Sequence, residues 1–189
     1  MNRRPRSEIR NMTDAHPAIA EITAAIRNVP DFPQPGIQFK DITPVLANPR
    51  LFAASIDILP AGFKPGDVDV VVGIDARGFI FASAAAIKLG AGLVPVRKKG
   101  KLPYQTIEQS YSLEYGTNTL ALHVDAIQPG QRALLVDDLL ATGGTAGAAV
   151  ALVQKLGARL LGVNFLIELS FLNGRAKLPN VPIRSLVVY

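Results

Sequence analysis

The run Leu134-Leu135-Val136-Asp137-Asp138-Leu139-Leu140-Ala141-Thr142-Gly143-Gly144-Thr145 constrains this chain more than any other stretch. It joins an unbroken apolar segment, two adjacent carboxylates and a small-residue loop, and it opens into an alanine-rich segment. The continuous apolar run predicts a strand buried on both faces, and the acidic pair falls where such a strand ends, at the carboxyl edge along which open α/β sheets bind ligands. Successive strand side chains point to opposite faces, so Asp137 and Asp138 cannot meet a ligand in the same way. A sugar diol, with a divalent cation beside it, suits such a pair, whereas a phosphate would be repelled. The anion falls instead to Ala141, Thr142, Gly143, Gly144 and Thr145, whose small side chains let backbone N–H groups converge at a helix N-terminus. Diol acceptors beside a phosphate cup describe a ribose 5-phosphate site. The plain alternative, a buried strand followed by a Gly-rich helix start, leaves two adjacent acids unexplained.

Neither the P-loop nor the dinucleotide fingerprint fits, because the stretch has no Gly-Lys-Ser/Thr ending and no G-x-G-x-x-G. It closely resembles the phosphoribosyl-pyrophosphate signature of the type I phosphoribosyltransferases, and the resemblance extends from about residue 30 to residue 189. Strands alternating with helices independently predict an α/β fold with a doubly wound, mainly parallel sheet flanked by helices. The resemblance adds an N-terminal hood and a flap-like β-hairpin. The expected organisation is a mobile tail at 1–16 and a single domain over 17–189, with a base-binding hood at 30–45 and a flexible catalytic loop at 98–118.

Composition narrows the chemistry. A length of 189 residues, 49% of them hydrophobic, is ample for one domain with a substantial core. No apolar run approaches the roughly 18 residues of a membrane-spanning helix, and the Arg-rich start (Arg3, Arg4, Arg6, Arg10) has no apolar segment beside it to make a secretory signal. Zero cysteines exclude thiolate chemistry and fit the cytoplasm. With two histidines, His16 and His123, little remains for a zinc site, so any metal is a hard cation brought with substrate phosphates. The net charge of +5 suits a phosphorylated small substrate, and 6% aromatic content does not mark a nucleic-acid surface.

In chain order, Ile19, Ile22, Ile26 and Val29 keep helical spacing and predict a helix that ends before Pro30. The segment 30–44 cannot be helical, because its prolines and Gly36 force extended and turn conformations. Such a rigid loop can hold Phe39 as a platform for a planar base, or Phe32 and Phe39 can simply plug a core. Asn48 and Pro49 cap a helix expected to bury Phe52, Ile56 and Leu59. A second strand-loop-helix unit follows, with a strand at 68–74, the loop Asp75-Ala76-Arg77-Gly78 and a helix at 79–89. Its loop aims a helix N-terminus at the same sheet edge and adds Arg77, available to an anion or to a surface ion pair. Arg97, Lys98, Lys99 and Lys101 form a basic run, either a solvated face or a field focused on an anionic substrate. Residues 110–124 read as a two-stranded hairpin around Gly116, carrying Glu114 and Tyr115.

The resemblance implies specific roles. F-P-x-P-G-x-x-F-K/R-D-I marks the adenine-specific branch of the family, so Phe39 and Leu139 are expected to sandwich adenine, with main-chain contacts from Gln38 and a contribution from Arg77. Asp75, Ala76, Arg77, Arg97, Lys98 and Lys101 are expected at the pyrophosphate, with a cis peptide at Asp75-Ala76 and Arg97 reaching across a homodimer interface. Asp137 and Asp138 would hold the ribose hydroxyls, and 141–145 the 5′-phosphate. Glu114 and Tyr115 are expected to be catalytic, the first assisting a proton on the base and the second gating closure. The segment Glu168-Leu169-Ser170-Phe171-Leu172-Asn173-Gly174-Arg175 matches the family's E-L-x-x-L-x-G-R without an assigned role. The implied reaction is adenine plus phosphoribosyl pyrophosphate giving AMP and pyrophosphate with Mg2+, a purine-salvage transfer. Transfer to a 6-oxopurine, or a regulator of the same fold that senses phosphoribosyl pyrophosphate or purine and binds nucleic acid, are the alternatives.

Overall fold

His16 opens the first helix: its Nδ1 accepts a hydrogen bond from the Ala18 N–H at 3.3 Å and caps α1 (Pro17–Ala25), which buries Ala18 and Ile22. The computed structural model describes residues 16–112, 116–178 and 180–189, and the chain divides into two units, 1–58 and 59–189. In the first unit the predicted helix stops short. Ile26 is already extended, and β1 (Arg27–Val29) pairs antiparallel with β2 (Phe39–Asp41). Pro30 disfavours the helical conformation for Val29, and the ladder offers these backbone groups partners instead. Arg27 reinforces it by donating to Asp41 Oδ2 at 2.7 Å. Phe39 therefore stands on a short strand rather than in a loop, with the Phe32 ring edge-on at 5.0 Å between centroids. The connection between the strands has a cis Phe32–Pro33 bond, and the Gly36 N–H donates to Asp31 Oδ1 at 2.8 Å. After α2 (Thr43–Ala47), α3 (Pro49–Ile58) starts as expected, with Asn48 Oδ1 accepting from the N–H groups of Arg50 and Leu51 at 3.1 Å each. Its buried face is Leu51, Ser55 and Ile58, one position round from Phe52 and Ile56. Both stripes have helical spacing, and only one can face inward.

The second unit is built on one sheet. Its elements are β3 (Val70–Ile74), α4 (Gly78–Leu89), β4 (Gly92–Lys98), β5 (Thr106–Ser112), β6 (Thr117–His123), β7 (Arg132–Leu140), α5 (Gly144–Lys155), β8 (Arg159–Glu168) and β9 (Ile183–Val188). Two 3-10 turns, Ser170–Leu172 and Gly174–Lys177, lie between the last two strands. The strand order is β5-β6-β4-β3-β7-β8-β9, with β4, β3, β7, β8 and β9 parallel and β6 added at the β4 edge antiparallel to both β4 and β5. The hairpin is thus an extension of the sheet. Pro95 is tolerated in β4 because it pairs with Gly73 on one side while β6 meets β4 only at Arg97 and Lys98. All of β3 is buried, as are residues 133–138 of β7, which accounts for their continuous apolar sequences. Helix α5 buries Ala146, Ala148, Ala149, Val150, Leu152 and Val153.

Adjacent strands β3 and β7 send their connections in opposite directions, β3 through α4 to β4 and β7 through α5 to β8, so a crevice opens between them at their carboxyl ends. Pairing of β3 with β7 ends at Gly73↔Val136, but β7 stays paired with β8 through Leu140↔Glu168. The acidic pair accordingly lies inside a strand, not beyond its end. One edge of Asp137 and Asp138 is held by β8 and the other faces the crevice. Among the described residues, no helix is long and apolar enough to cross a membrane.

Candidate active site

The crevice forms a cavity of about 300 Å³ lined by residues 74–77 and 137–146. Both carboxylates in its wall are buried, each about 7% exposed. Asp137 Oδ1 accepts from the Asp138 N–H at 2.9 Å, and Asp138 Oδ2 lies 2.6 Å from Arg77 Nε. Burial, and then the charge of Asp138, push the Asp137 carboxyl well above its ordinary range. Burial also raises Asp138, but the Arg77 guanidinium opposes it. Burial thus works against ionisation at both carboxyls, and the Arg77 guanidinium beside Asp138 works against burial there.

Arg77 reaches that carboxylate from the loop between β3 and α4. The Asp75–Ala76 peptide is cis, as the resemblance implies, and Gly78 begins α4 against Asp137, where a β-carbon would overlap Asp137 Oδ1. Glycine is needed there for room. Asp75 also receives Arg97, whose Nε donates to Asp75 Oδ2 at 2.9 Å while its Nη1 donates to the Lys101 carbonyl at 2.9 Å. Within the chain, Arg97 thus braces the loop beside the cavity.

The opposite wall is the turn between β7 and α5. Gly143 takes φ +79°, a left-handed conformation that favours glycine, and it abuts the carbonyl of Gly174 so closely that a side chain would collide. The first N–H groups of α5 have no intrahelical acceptors, and these small residues leave them open to an anion. On the far side, the Tyr111 ring lies against Gly144, and Thr145 Oγ1 donates to the Tyr111 hydroxyl at 3.0 Å.

The structure therefore brings Asp75, Ala76, Arg77, Asp137, Asp138, Leu139, Ala141, Thr142, Gly143, Gly144 and Thr145 around one cavity. Lys98 and Lys101 are exposed and do not line it. Gln38 and Phe39 belong to the first unit, and Glu114 and Tyr115 lie outside the described residues. Three supports escaped the sequence reading: Gly78, Tyr111 and the Glu168–Arg175 pair. Arg175 Nε and Nη2 donate to the two oxygens of Glu168, both at 2.6 Å, and Ser185 Oγ donates to Glu168 Oε2 at 2.6 Å. This fork anchors the turn that carries Gly174. The signal for it was present in the matched Glu168-to-Arg175 segment.

A metal would find few protein ligands here. Among the described residues no group of three or more His, Cys, Asp or Glu side chains comes together, and Asp138 is already engaged by Arg77. That donor set fits a hard cation that brings most of its oxygen ligands with a phosphorylated substrate.

The same fold and sequence recur in known proteins. The family described as the phosphoribosyl transferase domain matches residues 42–177. Adenine phosphoribosyltransferase of Acidothermus cellulolyticus is 59% identical over 170 residues, covering 89% of this chain and 96% of the relative. The crystal structure of adenine phosphoribosyltransferase from Rhodothermus marinus superposes with a TM-score of 0.87 at 53% identity, covering 91% of this chain and 98% of that one. That from Saccharomyces cerevisiae, complexed with an imino-altritol bisphosphate and adenine, gives 0.85 at 42% identity over 89% and 98% of the two chains. With the family's domain spanning most of the chain and relatives this similar along nearly their whole length, the chain belongs to the phosphoribosyltransferases, in the adenine phosphoribosyltransferase family.

Proposed function

We propose that the protein transfers the 5-phosphoribosyl group from phosphoribosyl pyrophosphate to adenine, giving AMP and pyrophosphate in purine salvage. The observation that carries this is the convergence, in one cavity, of a buried carboxylate pair held by an arginine and a glycine-rich helix start. The first suits the hydroxyls of a ribose and the second its 5′-phosphate. The bond from C1 of the ribose to pyrophosphate loosens towards an oxocarbenium-like state, so the protein has to fix the sugar, hold the base nitrogen in line and neutralise the leaving group. Asp138, held by Arg77, accepts from one ribose hydroxyl, and Asp137 beside it completes the grip on the sugar. Arg77 and the residue 75–76 backbone face the leaving pyrophosphate, with Arg97 bracing them and Lys98 and Lys101 adding positive field. Leu139 offers an apolar wall to the base, and Phe39 and Gln38 complete base recognition on the strength of the family resemblance. Glu114 assists the proton on adenine and Tyr115 gates closure, on the same ground.

Magnesium belongs to this reading: bound with the substrate, it supplies charge neutralisation at the pyrophosphate. A homodimer and a cytoplasmic location complete it. Absorbance-monitored turnover of adenine with phosphoribosyl pyrophosphate and magnesium, with hypoxanthine run alongside, tests the whole. AMP formation from adenine alone is expected. Turnover of hypoxanthine alone would discard the base assignment, and no turnover of either would bring forward a regulator of this fold.

A further inference from the structure

Thr145 lines the cavity, and its hydroxyl donates to the phenol of Tyr111 at 3.0 Å. Tyr111 is half-buried on β5, and its ring lies so close to Gly144 that a β-carbon there would come within 2.9 Å of it. At the other end of α5, Lys155 Nζ donates to Gln109 Oε1 at 2.8 Å and to the Glu108 carbonyl at 3.3 Å. Strand β5 is thus fastened to both ends of the helix whose N-terminus forms the anion cup.

We propose that Tyr111 is a positioning residue that sets the Thr145 hydroxyl for the 5′-phosphate and ties β5 to the occupied cup. The proposal rests on the phosphoribosyl reading of the cavity. A threonine in a helix divides its side chain between two rotamers, and a fixed partner selects one. A hydroxyl both donates and accepts. When a phosphate enters, the Thr145 O–H turns to a phosphate oxygen and the Tyr111 O–H turns to Thr145 Oγ1, so two hydrogens rotate and no heavy atom moves. An alanine or valine at 145 could not take part, and a phenylalanine at 111 would keep the packing while losing the relay.

The test is a set of variants titrated calorimetrically with ribose 5-phosphate and assayed with adenine and phosphoribosyl pyrophosphate. Tyr111→Phe is expected to weaken ribose 5-phosphate binding by about 2- to 10-fold, the effect of one neutral hydrogen bond. The same loss is expected in a Thr145→Ser background, which keeps the hydroxyl, and none in a Thr145→Val background, which is isosteric without it. The KM for phosphoribosyl pyrophosphate should rise while that for adenine stays put. An equal loss on Thr145→Val, or no loss in the wild-type background, overturns the proposal. Coupled ribose 5-phosphate binding without adenine turnover would uphold the relay and defeat the proposed reaction; turnover with a silent Tyr111→Phe would do the reverse.

Discussion

Arg77 Nε stands 2.6 Å from Asp138 Oδ2 across the gap where β3 and β7 separate, so one ion pair ties the loop after β3 to strand β7 at the cavity wall. Replacing Arg77 by Gln leaves a buried carboxylate without its cation, at a cost of roughly 1.5–3 kcal/mol for a charge-assisted bond. The expected outcome is a 10- to 100-fold loss in kcat/KM for phosphoribosyl pyrophosphate. Arg77 holds the Asp138 pKa down, so in the variant the acid limb of the pH profile should move to higher pH. Arg77→Lys should recover only part, since an ammonium lacks the planar fork.

Asp137→Asn should make the protein more stable and less active. A carboxyl whose pKa is raised on folding binds more protons in the native state than in the unfolded one, so stability falls as pH rises above the ordinary value of 3.8. Asparagine removes that penalty and can still accept from the Asp138 N–H. Melting curves should show the variant above wild type at neutral pH, by roughly 2–4 °C per kcal/mol relieved. The gain should vanish as pH falls below the ordinary carboxylate range.

Gly78→Ala tests the close approach of α4 to the acidic pair. The added methyl overlaps Asp137 Oδ1, so either the helix start or the carboxylate must shift. Overpacking of this kind costs about 1–3 kcal/mol. A lower melting temperature with at least about a tenfold loss in kcat/KM is expected, because the displaced group belongs to the site.

Arg175→Met breaks the fork on Glu168. Removing one partner of a buried pair costs about 3–5 kcal/mol, and the half-exposed arginine places this case near the lower end. The bond to Arg175, with that from Ser185, holds Glu168 below its ordinary value of 4.5. Its stabilisation is thus complete above that pH and is lost as the pH falls through the lowered native value. Chemical denaturation of wild type and variant should differ at pH 7 and converge in acid. The KM for phosphoribosyl pyrophosphate should rise more than that for adenine, because the turn behind Gly143 loses its anchor.

On the proton role proposed for Glu114, Glu114→Gln should lower turnover by roughly 10²-fold or more with substrate affinity little changed. Steady-state and single-turnover rates measure it directly. Wild-type turnover would remove Glu114 from the chemistry.

The parallel core was legible because local signals agree with it. The apolar runs at 70–74 and 133–136 are buried strands, and Pro49 and the glycine-rich turn open helices where expected. The cavity followed from the same reading, since strand ends and helix starts converge at a switch point whatever the loop details. What escaped was non-local. Residues 27–29 became a strand because a partner 10 or more positions away supplied a ladder that helical spacing could not reveal. Arg97 meeting Asp75, Tyr111 meeting Thr145 and Gly174 backing Gly143 are contacts that only the folded sheet brings about. The acidic pair sits inside β7 for a related reason, as β8 extends past the point where β3 departs.

Gly78 and Gly143 place the two walls at close quarters, the first against the Asp137 carboxylate and the second against the Gly174 carbonyl, and neither contact leaves room for a side chain. Walls of this kind have no volume to trade, so their spacing cannot be adjusted in small increments by substitution. If Gln38 and Phe39 recognise the base as proposed, a library meant to change the acceptor should vary 37–42 and leave Gly78 and Gly143 untouched. Diversity spent on these two glycines would return unfolded or inert clones.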